Sequence, residues 1–297
     1  MPSALHRALD TGRFLVAPGA YDSLTARLAA QHGFAAVYMT GAGTAAAAGY
    51  PDYGLLTMTE MVANAARIVE AVDVPVIADA DTGYGNELNV VRTVRAYARV
   101  GVAAIHIEDQ DFPKRCGHLQ GKEIIDRQPW LRKIRAAVEC RPDPEMLVIA
   151  RTDARAVAGL DEAIGRANDA LAAGADMAFV EAPQTLEEIE AVPRLVDGPC
   201  LFNVVPGGRS PEVPFADLEA WGYRLAICPG ALLWPVVEAC DAALDVLARA
   251  CGLEAASLAG AASGGGPEGL FGRVGAAGWD ALRERFGAAE PATGGPA

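Results

Sequence analysis

The sequence has no Cys-x-x-Cys pair, no basic run, no apolar stretch of membrane length and no Gly-x-Gly-x-x-Gly after its first apolar segment. Each absence excludes something. The six cysteines, Cys116, Cys140, Cys200, Cys228, Cys240 and Cys251, are spaced for neither a zinc site nor a redox pair, and read as free thiols in a reducing compartment. A net charge of −13 without a basic stripe argues against nucleic acid and anionic membranes as partners. It leaves an anionic small molecule open, because Lys114, Arg115, Lys122 and Arg151 can dominate one cleft. No apolar run approaches the roughly 18 residues of a membrane span, and the start lacks a basic-then-apolar signal. A soluble, cytoplasmic protein is expected.

What is present is a large apolar fraction, 52% of 297 residues, in a regular order. Short apolar runs alternate about eight times with helical patterns, beginning near residues 14, 35, 74, 103, 147, 177, 200 and 225. Runs without in/out alternation are buried on both faces, as in a parallel sheet covered by helices. Eight such units in this length predict an α/β fold of the TIM-type (β/α)8 class. The barrel is expected over 1–254, followed by a flexible linker at 255–269, one C-terminal helix at 270–287 and a disordered tail at 288–297. Locally, Pro18-Gly19 should stop the first strand, and Asp161 should cap a helix. Residues 40–44 read as a small-residue loop able to offer backbone N–H groups to an anion. The 109–127 connection is too long for an ordinary βα turn and is expected to be functional.

The polar residues follow the strands. Tyr38 and Thr40 come after the second, Asp79 and Asp81 after the third, and Glu108 after the fourth. Arg151, Glu181 and Asn203 come after the next three. Active sites of such barrels are built at that end. Asp79, Asp81 and Glu108 offer hard oxygen ligands suited to Mg2+ or Mn2+; the plain alternative is helix capping with an ion pair at Glu108. Arg151 and Asn203 suit carboxylates and hydroxyls, or else tie loops together. Glu181 either orients a reacting group or pairs with Arg151. His106 reads as a core residue. In Lys114-Arg115-Cys116-Gly117-His118, neighbouring cations favour a thiolate, and Gly117 and Gly121 let the segment move as a lid.

Tyr38-Met39-Thr40-Gly41, Asp79-Ala80-Asp81-Thr82-Gly83-Tyr84-Gly85, Ile107-Glu108-Asp109-Gln110 and Lys114-Arg115-Cys116-Gly117-His118 resemble the isocitrate lyase/phosphoenolpyruvate mutase superfamily. Ala150-Arg151-Thr152-Asp153-Ala154 and Glu181-Ala182-Pro183 continue the resemblance, which spans roughly 12–250. Lys114 to Lys122 with Glu123-Ile124-Ile125 is closer to the alkylmalate lyases and carboxyphosphonoenolpyruvate mutase than to isocitrate lyase proper; methylisocitrate lyases resemble it up to His118 and then diverge. Pro206 stands where the family usually has glutamate, and Cys228-Pro229-Gly230 also departs from its pattern.

The resemblance implies a barrel with helices swapped in a homotetramer, acting on a small dicarboxylate bound to Mg2+ or Mn2+. It implies that Asp79, Asp81 and Glu108 serve the metal, directly or through water. It gives Thr40, Gly41, Ala42, Asp52, Gly117, Arg151 and Asn203, with Tyr38, to the substrate. It makes Cys116 a general acid, grouped with Lys114, Arg115, His118, Glu181 and Tyr38 as catalytic. The expected reaction is retro-aldol cleavage of a 2-hydroxy dicarboxylate, with Arg115 and His118 on the departing carboxylate. Phosphonomutase and oxaloacetate hydrolase or decarboxylase chemistry are the alternatives. Tyr38, Glu181 and a hydroxide on the metal stay open as the base.

Overall fold

Eight short apolar segments become the parallel strands of a closed barrel in the order β1 to β8. The strands are β1 (Leu15–Ala20), β2 (Val37–Met39), β3 (Val76–Asp79), β4 (Ala104–Glu108), β5 (Leu147–Thr152), β6 (Met177–Val180), β7 (Cys200–Asn203) and β8 (Leu225–Cys228). The structure is a computed structural model that describes residues 4–10, 12–119, 121–253 and 266–287. Its helices are α1 (Ala4–Asp10), α2 (Ser23–Gln31), α3 (Gly41–Ala47), α4 (Met58–Ala71), α5 (Glu87–Arg99), α6 (Arg127–Cys140) and α7 (Ala154–Ala158). They continue with α8 (Leu160–Ala172), α9 (Leu186–Leu195), α10 (Phe215–Trp221), α11 (Leu233–Ala250), α12 (Pro267–Arg273) and α13 (Ala276–Gly287).

The strand residues divide between two apolar layers. Tyr38, Ile77, Ile149, Phe179, Leu201 and Ile227 form one buried cluster, which Leu5 of α1 joins. The alternate residues Met39, Ala78, Ile105, Ile107 and Val148 pack with helix residues such as Ile68, Val94 and Trp130. This explains the unbroken apolar runs: both faces of each strand are covered. Side-chain caps fix several helix starts. Asp22 accepts from Thr25 N, and Thr57 and Glu60 form a reciprocal box at α4.

Several local expectations are corrected. β1 runs through Pro18 and Gly19, pairing Pro18 with Cys228. A Cβ at Gly19 would collide with the Pro229 backbone, so glycine serves close approach here and does not end the strand. Residues 41–47 are helical, not a loop, with Thr40 accepting from Gly43 N as the cap. Asp161 lies in the first turn of α8, whose cap is Gly159 without a side-chain bond. The single C-terminal helix is two helices, broken at Val274 and Gly275, and Pro267 to Gly269 are helical where a linker was expected. The rest of that linker, apart from Gly266, and the 288–297 tail lie outside the described residues.

α11 does not settle onto the barrel. Leu233 is its one buried residue, while Val236, Leu244, Val246 and Leu247 are exposed. No helix among the described residues is long and apolar enough to cross a membrane.

Candidate active site

The strand ends bring the polar residues together. Asp79, Glu108 and Asn203 are the last residues of β3, β4 and β7, and Glu108 stands in register with Arg151 of β5. Asp81 and Ala182, just past β3 and β6, have φ values of 46° and 51°. Non-glycine residues rarely adopt this region, and such strain collects at functional sites.

Tyr38, Thr40, Ala42, Asp52, Asp79, Cys116, His118, Arg151, Glu181 and Asn203 line a cavity of about 40 Å³, closed over by Trp234, Pro267, Leu270 and Phe271. A larger cleft of about 730 Å³ beside it, between Val204, Gly230 and Trp234, reaches none of Asp79, Glu108, Arg151 or Glu181. The chemistry therefore belongs to the smaller space. Gly41 and Gly117 complete it through what they lack. A Cβ at Gly41 would strike the Asp79 carboxylate, and one at Gly117 would strike Glu181 and Arg151.

The cations are matched by carboxylates. Lys114 Nζ lies 2.5 Å from Asp52 Oδ1 and 2.8 Å from Asp81 Oδ1. Arg151 Nε donates to Asp153 Oδ2 at 3.0 Å and lies 3.3 Å from Glu108 Oε2. Lys122 pairs with Asp153 at 2.9 Å. Arg115, expected on the substrate, instead points to Asp280 at 2.7 Å and lies over the Tyr53 ring. His118 is at the cavity, 3.3 Å from Glu181 Oε1, and Asn203 Nδ2 donates to both Glu181 oxygens at 3.2 Å. Glu181 thus has two partners that the sequence did not reveal, beside the expected Arg151, whose Nη2 lies 3.6 Å from Oε1.

This pairing corrects the expected thiolate. Burial first, then the Asp52 carboxylate, pushes the half-buried Cys116 thiol up to about 12, although Lys114 works in the other direction. Lys114 is already matched by two carboxylates, so the thiol stays protonated. Burial likewise holds the Tyr38 phenol well above its usual range, with Asp79 adding to the effect. The Tyr38 hydroxyl lies 2.8 Å from His106 Nε2, so His106 is the partnered core residue expected.

Three carboxylate oxygens lack a hydrogen bond, although two of them lie within ion-pair distance of Lys114 and Arg151. Both oxygens of Glu108 and Asp81 Oδ1 are buried without a hydrogen-bond partner. The Lys114 ammonium is near Asp81 Oδ1, but as a charge contact without hydrogen-bond alignment. Burial raises the Glu108 carboxyl well above its usual range, and Arg151 and Lys114 offset this only in part. No three His, Cys, Asp or Glu side chains are arranged as a ready-made metal cage among the described residues. Nevertheless, orphaned hard oxygens beside a cavity suit a small divalent cation that keeps water or substrate oxygens in its shell.

The sequence reading missed an inner network. Thr152 Oγ1 donates to Asp109 Oδ2 at 2.6 Å, Asp153 N donates to Asp109 Oδ1 at 2.7 Å, and Arg166 reaches Asp109 at 3.1 Å. The available signal was the position of Asp109 and Asp153 just past their strands; Arg166, inside a helix, gave none.

A family model described as phosphoenolpyruvate phosphomutase matches residues 4–248. The chain belongs to the phosphoenolpyruvate mutase/isocitrate lyase superfamily. It is 50% identical over 236 residues to 2,3-dimethylmalate lyase of Eubacterium barkeri, covering 79% of this chain and 82% of that protein. A solved structure of 2,3-dimethylmalate lyase superposes with a TM-score of 0.81 at 40% identity, covering 100% of both chains. The 2-methylisocitrate lyase of Aeropyrum pernix is 44% identical over 225 residues, covering 76% of this chain and 72% of that one. Phosphonopyruvate hydrolase solved with oxalate and Mg2+ matches with a TM-score of 0.75 at 30% identity, covering 95% and 98%. The chain is therefore an enzyme whose superfamily includes named lyases, on the barrel expected from sequence.

Proposed function

We propose that the chain is a divalent-metal-dependent carbon–carbon lyase cleaving a 2-hydroxy dicarboxylate of the 2-alkylmalate or methylisocitrate type. The observation that carries this reading is a thiol, Cys116, on the wall of a cavity that also holds Arg151 and Asn203, where burial favours its acid form. Asp79, Asp81 and Glu108 would hold Mg2+ or Mn2+, directly or through water, and the ion would supply Lewis acidity toward the substrate's hydroxyl and carboxylate oxygens.

The residues of the chain do the rest. Arg151 offers a guanidinium to the carboxylate next to the hydroxyl, and Asn203 borders the same part of the cavity. Of the bases considered, Tyr38 is disfavoured because burial keeps its phenol protonated. Glu181 is a cavity-wall carboxylate outside the metal set, steadied by Asn203 and His118. Loss of the hydroxyl proton drives its oxygen to a carbonyl, and the adjacent carbon–carbon bond breaks. Its electron pair stays on the second fragment, which takes the Cys116 proton at carbon. The proton left on the base returns to the thiolate through solvent when the lid reopens. A phosphonomutase, which moves a phosphorus group, leaves a protonated Cys116 without a task; an oxaloacetate hydrolase would use it on the departing acetate and is separated by the substrate panel below.

The same reading makes the enzyme a cytoplasmic homotetramer with swapped helices. The free cysteines support the compartment, and the exposed apolar face of α11 supports the assembly. The deciding experiment offers 2-alkylmalates, methylisocitrate, oxaloacetate and phosphonopyruvate with Mg2+ and follows 2-oxo acid release. Release of pyruvate or glyoxylate from a 2-hydroxy dicarboxylate, lost on chelation and restored by Mg2+ or Mn2+, is expected. Release from none of the hydroxy acids overturns the lyase reading.

A further inference from the structure

We propose that Lys122 is a positioning residue: it latches the 112–122 segment shut by bridging that segment to Asp153, the carboxylate that also holds Arg151. The inference rests on Cys116 being the acid, since the segment carries that thiol.

The segment has a fixed neck. Gln110 pairs with Ile124 in an isolated bridge, Asp111 N donates to Glu123 O at 2.9 Å, and Ile125 N donates to Asp109 O at 2.9 Å. Arg166 Nη1 donates to Ile125 O at 2.8 Å, tying the neck to α8. Past this neck, Lys122 turns inward and is almost fully buried. Its ammonium donates to the carbonyl of Gly117 and, at 2.9 Å, to Asp153 Oδ1. Gly117 follows Cys116 directly and sits so close to Glu181 and Arg151 that no side chain fits there. Lys122 therefore holds down the point where the segment penetrates deepest.

Asp153 makes the latch responsive. Its Oδ1 faces Lys122, while its Oδ2 accepts from Arg151 Nε at 3.0 Å. Its carboxyl is held well below the usual range: burial works against this, but Arg151 and Lys122 together outweigh it. An acid ligand that takes part of the charge of Arg151 leaves more of Asp153 to Lys122. Ligand binding and closure then reinforce each other through one shared carboxylate.

The test labels Cys116 with iodoacetamide, read by peptide mass mapping to separate it from the exposed Cys240 and Cys251. The full chain is used with and without oxalate and Mg2+. In the wild type, oxalate with Mg2+ should slow labelling about tenfold or more. In Lys122→Met, unliganded labelling should rise by a similar factor and the oxalate protection should vanish. On a confirmed substrate, kcat should fall more than KM changes, and Lys122→Arg should restore both readouts. Wild-type labelling with intact protection in Lys122→Met overturns the latch. If Lys122→Met does not fold, Lys122→Gln carries the same test, and retained protection there also overturns it. Labelling requires no turnover, so a working latch in a protein that cleaves no hydroxy acid would refute the lyase reading alone.

Discussion

The Lys114 ammonium lies 2.8 Å from Asp81 Oδ1, with both residues buried where the lid meets the strand ends. Asp52 flanks it on another side. A sequence that looks like a cationic patch is thus a closed charge balance. Removing the lysine leaves two buried carboxylates uncompensated. Lys114→Met should lose about 3–5 kcal/mol of stability in urea denaturation. Adding Asp52→Asn should recover part of that loss, and an unchanged single-variant midpoint would show that the pairing contributes nothing.

Cys116→Ser keeps the shape and removes a competent acid. Turnover of a confirmed 2-hydroxy dicarboxylate should fall by about 10²–10⁴-fold, with oxalate affinity preserved. A near-wild-type rate would assign the protonation step elsewhere.

The Cys116 proton should also persist in alkaline solution. The acid form is present below the folded pKa, and burial has pushed that value up to about 12. Cys116 therefore imposes no fall in rate as pH rises from about 7 to 10, whereas an ordinary thiol of pKa about 8.5 would. Its alkylation should climb about tenfold per pH unit over that range without a plateau, because only the thiolate reacts. A plateau near pH 9 would contradict this.

Strand-borne features were legible because their causes are local. Unbroken apolar runs marked β1 to β8, and the polar residues ending β3, β4 and β7 marked the rim. What stayed hidden was pairing across the barrel. Lys114 meets Asp52, which is 62 residues away, and Arg166 meets Asp109, 57 residues away; no spacing rule joins them. The partner of Arg115 was hidden for the same reason, since Asp280 arrives from α13. The helix at Gly41 was masked by its composition: its glycine reflects contact with Asp79, not a loop. The rim motifs already pointed to the family, which the homologues bear out, and the individual substrate rests on the proposed reading.

Gly117→Ala should act through space alone. Its methyl would collide with Glu181 and Arg151, so the lid must ride higher and Cys116 with it. Displacement of about 1 Å can cost on the order of 10²-fold in rate. A loss of that size in kcat, with a melting temperature close to wild type, is expected. Full activity would show that the lid need not seat this deeply.

Leu247→Glu tests the assembly. Leu247 is 58% exposed, and a solvent-facing change shifts folding stability by only about 0.5 kcal/mol. If another copy covers α11, the buried charge should lower the molar mass measured by light scattering. An unchanged mass would place the subunit interface elsewhere.

The cavity of about 40 Å³ has a kinetic meaning. A cavity needs about 10–15 Å³ of such space for each water, so the shut enzyme holds only a few waters and a four-carbon acid must pass the lid to displace them. Each turnover must begin and end with the door ajar, and solvent drag on that movement belongs to the rate. Measured affinity is then weakened by the fraction of time the enzyme spends shut to its ligand. Changes that loosen the door without touching the rim would make the enzyme look like a better binder while leaving it a poorer catalyst.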